Sequence, residues 1–187
     1  IFWNQGNLEF EKEPLPSISP SRSVSIVDVD GDSWMDIVFT QQVSAPLYWH
    51  NQKGKGFETQ ILRGVTYIGY AMNWGDLDGD GDLDLVTGSY DAEIKKLFGQ
   101  SSKVMGVVYY ENNRGSFVAT RLADTSDTLA LLINDINDDG QNDIVVGNDF
   151  ALKDQYFSYL NGSWIELASL SVMPHSTMSF DAADINN

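Results

Sequence analysis

The sequence predicts an all-β fold, a β-propeller of four-stranded antiparallel blades, and three observations predict it. An acidic segment of nine residues recurs along the 187-residue chain. An aromatic strand leading into an Asn-led turn recurs between its copies. The runs between these two signatures are β-branched and of strand length.

The acidic segment occurs as Asp28-Val29-Asp30-Gly31-Asp32-Ser33-Trp34-Met35-Asp36, then as Asp76-Leu77-Asp78-Gly79-Asp80-Gly81-Asp82-Leu83-Asp84. It returns as Asp135-Ile136-Asn137-Asp138-Asp139-Gly140-Gln141-Asn142-Asp143, and a fourth copy opens at Asp184-Ile185-Asn186-Asn187. Successive copies start 48, 59 and 49 residues apart. The second signature is Phe2-Trp3-Asn4 with Phe10, Tyr48-Trp49-His50-Asn51 with Phe57, Tyr109-Tyr110-Glu111-Asn112 with Phe117, and Tyr159-Leu160-Asn161 with Trp164. An aromatic strand, an Asn-led turn and an aromatic opening the next strand read as a β-hairpin. The runs Ser25–Val27, Asp36–Phe39, Leu83–Val86 and Asp143–Val146 supply the strands on either side of the acidic segments. Each repeat therefore yields about four short strands, the composition of a propeller blade. A stacked solenoid would have fewer, parallel strands.

Domain organisation follows the same periods. One propeller segment is expected over 1–187: a partial blade at 1–22, repeats at 23–70, 71–129 and 130–178, and a truncated repeat at 179–187. The second repeat carries roughly ten extra residues within Tyr90–Gly106, read as a surface excursion with a helical turn. Its lysines Lys95, Lys96 and Lys103 are either a solvated loop or a contact for an acidic partner. The chain opens inside a hairpin and closes inside an acidic segment, which is the expectation for part of a longer protein.

Composition narrows the function. Apolar residues at 42% and aromatics at 12% suffice for a packed core, whereas the net charge of −16 would repel nucleic acid. The absence of cysteine removes disulfide and cysteine–zinc sites. No apolar run approaches the ~20 residues of a membrane helix. The negative charge is clustered in the acidic segments, and there it has a purpose.

Hard oxygen donors at alternating positions suit Ca2+, which takes about six to eight oxygens in a flexible shell. A tight backbone turn, with glycine at position 4 or 6 providing positive φ, lets positions 1, 3 and 5 converge. Position 7 then offers its carbonyl and the carboxylate at position 9 completes the set. The expected side-chain ligands are Asp28, Asp30, Asp32 and Asp36; Asp76, Asp78, Asp80 and Asp84; and Asp135, Asn137, Asp139 and Asp143. The carbonyl donors are Trp34, Asp82 and Gln141, and Asp184 and Asn186 begin a fourth site. An EF-hand needs Glu at position 12 before a helix, but Phe39, Thr87 and Val146 stand there within β runs. Solvated Asp-rich turns are the plain alternative, yet recurrent close carboxylates without a cation repel one another. Magnesium retains its waters and fits such a cage poorly. Ser33 in place of glycine makes the first loop the irregular one.

These motifs resemble the FG-GAP/VCBS repeat family, the blades of integrin-α-type propellers, over nearly the whole chain. The stretches Val146–Phe150, Tyr159–Asn161 and Ser176–Asn187 also resemble ASPIC/UnbV-associated repeat proteins. The resemblance implies a seven-bladed propeller in the full protein and structural calcium on one face. It also implies an extracellular, cell-surface or periplasmic location. The implied role is adhesion, or recognition of a protein or glycan partner, or self-assembly with other surface proteins. Ser33, Asn137 and the Tyr90–Gly106 excursion depart from the family pattern.

No nucleophile elbow, phosphate loop or zinc spacing occurs in the sequence. His50 and His175 read as surface or packing residues. The expectation is a non-catalytic binding module; the alternative is the propeller of a secreted polysaccharide lyase or hydrolase with its catalytic residues elsewhere. The aromatics Trp3, Trp49, Tyr109, Tyr110 and Trp164 read chiefly as packing between blades and secondarily as sugar-stacking platforms.

Overall fold

The computed structural model describes residues 1–14, 20–42, 44–99, 103, 105–150, 152–167 and 176–183. Strands β1 (Phe2–Gly6) and β2 (Glu9–Lys12) form a two-stranded hairpin. Three four-stranded sheets follow. The first holds β3 (Val24–Val27), β4 (Asp36–Gln41), β5 (Ser44–Asn51) and β6 (Phe57–Ile61). The second holds β7 (Ala71–Gly75), β8 (Asp84–Gly88), β9 (Val107–Asn112) and β10 (Phe117–Ala123). The third holds β11 (Thr128–Asn134), β12 (Asp143–Asn148), β13 (Gln155–Leu160) and β14 (Ser163–Glu166). Each sheet is antiparallel and ordered as in the chain, so every one is an up-and-down meander of the propeller-blade type.

The core lies between the sheets. Alternate residues of a strand face opposite sides, and in the second blade both sides are covered. Leu85, Val108 and Tyr110 pack toward the first blade with Val27, Val38 and Tyr48. Their neighbours Val86, Val107 and Tyr109 pack toward the third with Ile144, Val146 and Phe157. This two-sided burial is why the central strands read as unbroken apolar runs, and each such side chain contributes roughly 1.5–3 kcal/mol. Glycine lets the second and third blades approach closely. A Cβ at Gly88 would lie 2.1 Å from Thr128 Oγ1, and one at Gly75 would lie 2.8 Å from Ile133 Cγ2. Only glycine fits there.

The excursion in the second repeat contains a helix, α1 (Asp91–Phe98), inserted between β8 and β9. Gly99 ends it in the left-handed region at φ 79°, its N–H donating to the Lys95 carbonyl. Ile94 anchors the helix in a small apolar cluster with Ile68 and Met105.

The strand directions create two distinct ends. The acidic loops β3–β4, β7–β8 and β11–β12 share one end with the hairpin turns β5–β6, β9–β10 and β13–β14. The connections β4–β5, β8–β9 and β12–β13 lie at the other, with α1.

Candidate metal centre

The three acidic loops adopt one backbone conformation. Positions 4 and 6 both have positive φ in every copy: 74° and 72° at Gly31 and Ser33, 82° and 94° at Gly79 and Gly81, 60° and 86° at Asp138 and Gly140. The turn thus needs the left-handed region at both positions, and Ser33 and Asp138 adopt it despite carrying a Cβ.

Side-chain bonds repeat as faithfully. The position 1 carboxylate accepts from the N–H at position 6: Ser33 to Asp28 at 2.7 Å, Gly81 to Asp76 at 3.2 Å, Gly140 to Asp135 at 2.8 Å. Position 3 accepts from position 5, through Asp30, Asp78 and Asn137, at 3.3, 3.1 and 2.9 Å. Position 5 accepts from position 7: Trp34 to Asp32 at 3.0 Å, Asp82 to Asp80 at 2.9 Å, Gln141 to Asp139 at 2.9 Å. Oxygens of Asp28, Asp30 and Asp32 converge within 4.8 Å of one another, as do those of Asp76, Asp78 and Asp84. Asp184 and Asn186 lie outside the described residues, as does His175.

The position 9 carboxylates are the buried members of the set. Asp36, Asp84 and Asp143 are each at most 1% exposed. One oxygen of each accepts from the N–H at position 2, from Val29, Leu77 and Ile136 at 3.1, 2.9 and 3.0 Å. The second oxygen of Asp36 accepts from the Asn51 N–H at 2.7 Å, and that of Asp84 from the Asn112 N–H at 2.8 Å. Here the two sequence signatures meet. In the first two blades the hairpin Asn supplies the backbone donor that fixes the last carboxylate of the acidic loop. Tyrosine hydroxyls help, Tyr109 donating to Asp84 at 3.3 Å and Tyr156 to Asp143 at 2.7 Å. Sequence reading missed these tyrosine contacts, because they span β-ladders at separations with no period.

Electrostatics separates the loops. Burial is the main cause that pushes Asp84 up to about 6, with the charges of Asp78 and Asp82 adding and its bonds to Asn112 and Leu77 opposing. Burial likewise raises Asp36, Asp78 and Asp82, and in all three the charge of a neighbouring aspartate adds to it. Loop one has basic neighbours: His50 Nδ1 lies 3.2 Å from Asp36 Oδ1 and 3.7 Å from Asp30 Oδ2, and Lys53 Nζ lies 3.9 Å from Asp32. His50 therefore joins Asp30 and Asp36 in one cluster, where the sequence suggested only a surface or packing residue. Among the described residues no ion pair reaches the aspartates of loops two and three.

The residues fit a hard cation on two grounds. The donors are oxygens held in register by backbone bonds, which leave lone pairs over. Two carboxylate oxygens, Asp82 Oδ1 and Asp143 Oδ1, are buried without a hydrogen-bond partner. A buried carboxylate oxygen with no donor is costly unless a charge faces it.

Neighbouring loops are also tied together. The carboxamide of Asn112, 1% exposed, donates at 3.0 Å to the Leu83 carbonyl of its own blade and at 3.0 Å to the Val29 carbonyl of the first. Asn142 in loop three donates to the Asp76 carbonyl in loop two at 3.0 Å.

Comparison with known proteins agrees with this architecture. Residues 28–87, which run from the first acidic loop through the second, match the family described as FG-GAP-like repeat. The chain is 30% identical over 129 residues to integrin alpha-PS3 of Drosophila melanogaster. That alignment covers 63% of this chain and 11% of the relative, so the chain spans about a tenth of the curated relative it matches. Repeated blades, the acidic loops they present and both similarities together mark this chain as carrying FG-GAP-like repeats.

Proposed function

We propose that the chain is a calcium-stabilised extracellular propeller segment, serving as a non-catalytic binding, adhesion or surface-assembly module. The observation that carries this reading is the shared loop conformation, positive φ at positions 4 and 6 with the same carboxylate-to-backbone bonds three times over. Likeness to an integrin alpha chain supports an extracellular binding role. The same likeness supports a protein partner, and a glycan is the other partner class we propose.

In this reading the repeats are 23–70, 71–129 and 130–178, each holding one ion. Asp28, Asp30, Asp32 and Asp36 with the Trp34 carbonyl hold the first. Asp76, Asp78, Asp80 and Asp84 with the Asp82 carbonyl hold the second, and Asp135, Asn137, Asp139 and Asp143 with the Gln141 carbonyl the third. When bound, calcium supplies the counter-charge that lets these turns stay closed. The protein's own groups orient the carboxylates and exclude water from position 9.

Extracellular calcium modules bind with Kd of roughly 10⁻⁴–10⁻³ M. Calcium calorimetry, with terbium luminescence as a second readout, tests the proposal. Three ions per chain in this range are expected. Absence of binding at millimolar calcium overturns it.

A further inference from the structure

A groove of about 360 Å³ opens between the second and third blades at the acidic-loop end. Its floor is aromatic. Tyr159 and Trp164 face each other across β13 and β14, with ring centroids 5.4 Å apart at 60°. Trp164 rests in turn on Tyr109 of the second blade, at 5.3 Å and 55°. The inter-blade core closes around Phe157, which is 1% exposed, and two residues further along β13 Tyr159 is 39% exposed. Burial stops there and the groove begins.

Turn length explains why it is open. The β9–β10 turn is long enough to reach the first blade: the Phe117 N–H donates to the Arg63 carbonyl at 2.8 Å, and Arg63 and Ser116 form a parallel bridge. The β13–β14 turn is only Asn161-Gly162, with φ 52° and 84°, so Leu160 pairs directly with Ser163. Among the described residues no backbone bond carries this shorter turn across to the second blade. The space between first and second blades that the longer turn occupies is reduced to about 180 Å³.

The rim is polar. Glu111 and Glu166 stand on opposite walls, with the Ser163 and Thr120 hydroxyls beside them. We infer that this groove is a saccharide subsite, in which the C–H face of a neutral pyranose stacks on Trp164 and Tyr159 while its hydroxyls bond the two glutamates. A wholly apolar ligand would strand those carboxylates in a desolvated contact. An anionic ligand would meet Asp78, Glu111 and Glu166 on a chain of net charge −16, and the cation on the lining, Arg121, is already engaged by the Asp124 carboxylate and the Met105 carbonyl. Hydroxyls both donate and accept, and so match carboxylate and hydroxyl groups set around a ring. The inference builds on the binding-module reading and names the ligand class for one place on it.

The experiment uses the full chain in calcium with four neutral disaccharides: maltose, cellobiose, lactose and N,N′-diacetylchitobiose. Saturation-transfer NMR reports contact and indole fluorescence gives affinity. At least one disaccharide should bind saturably, and Trp164→Ala should weaken it about tenfold through loss of aromatic contact. Since Trp164 also packs on Tyr109, Ser163→Tyr is the second variant: it sits at an exposed position, obstructs the groove, and should abolish binding with the melting curve retained. Phe10→Ala, exposed on the β1–β2 hairpin outside the three blades, should bind as the parent does. No disaccharide binding, unaltered affinity in both groove variants, or oligolysine bound at Trp164 instead of sugar would each overturn the assignment. Failure of the calcium reading is read separately, from calorimetry on the same sample.

Discussion

At the acidic-loop end of each blade, buried carboxylates meet backbone N–H groups, tyrosine hydroxyls and one another. At the opposite end of the second and third blades, polar groups are buried just as deeply but are mostly neutral and mutually paired. Ser89, Asp91, Ser126, Thr128, Asn148 and Asp154 are all at most 4% exposed. Asp91 accepts from the Ser89 hydroxyl at 2.6 Å and the Ser126 N–H at 3.1 Å. Asn148 accepts from the Ser126 hydroxyl and the Asp127 N–H at 3.1 and 2.9 Å, and donates to the Lys153 carbonyl at 2.9 Å. Asp154 takes the Asn148 N–H at 2.8 Å and the Thr177 hydroxyl at 2.5 Å. The contrast teaches that burial alone does not mark a ligand site. A buried carboxylate supplied with hydroxyl and amide donors is structural, whereas one left beside other carboxylates with an unpartnered oxygen signals a missing positive charge.

Perturbations should therefore separate the ends. Chelation has the largest expected effect. With calcium at about a hundredfold excess over Kd, each occupied site stabilises by about 2.7 kcal/mol. Thermal melts with and without chelator should differ by many degrees, and coincident curves would break the comparison at the loop end. Asp91→Ala comes next, a loss of about 3 kcal/mol because Ser89 and Ser126 are left unpaired. That loss should be the same in calcium and in chelator; a difference between them would show that the two ends are not independent. Asp80→Ala is expected to cost up to about 2.7 kcal/mol in calcium and little in chelator, as urea titrations under both conditions would show.

Acid titration sharpens the same contrast. Burial raises Asp91 above its unfolded value of 3.8, against the opposing bonds from Ser89 and Ser126. Its protonated form is therefore favoured by the fold. Its contribution to stability is fully present below 3.8 and is lost as pH rises through the folded value. Urea melts of the calcium-free protein and Asp91→Asn across this acid range should show the parent losing stability relative to the variant as pH rises. The smallest effect belongs to Ser33, held at φ 72°. Ser33→Gly should raise stability by about 1 kcal/mol, measured as a shift in the urea midpoint. No gain would mean that the loop does not strain this residue.

Much of the fold was legible because blades repeat. Copies of the acidic segment and the hairpin signature give strand count and order, and the lengthened interval in the second repeat announces α1. Contacts across ladders were not legible. Asp36 and Asn51 are 15 residues apart, whereas Asp84 and Asn112 are 28 apart because α1 intervenes. No fixed spacing reveals that they make the same bond. Glycine at 31, 79, 81 and 140 suggested positive φ, but Asp138 hides an equivalent backbone behind an ordinary side chain. The Asp91–Asn148 network joins residues up to 35 positions apart with no period. Trp164 matches the hairpin pattern, and its packing on Tyr109 agrees with that reading. Its groove depends on a shorter turn, a detail that sequence periodicity averages away.

The Asn112 carboxamide, reaching back to Val29, has a consequence for how such a chain can lengthen. Donor and acceptor belong to successive units, with the donor in the later one, and the same direction holds for the different bond from Asn142 to the Asp76 carbonyl. Duplicating one whole unit preserves every such clasp, while a gain or loss of any other size at this end severs one. The added helix α1 lies at the far end instead, where its first residue, Asp91, takes the Ser126 N–H and so ties the addition to the segment that leads into the next blade.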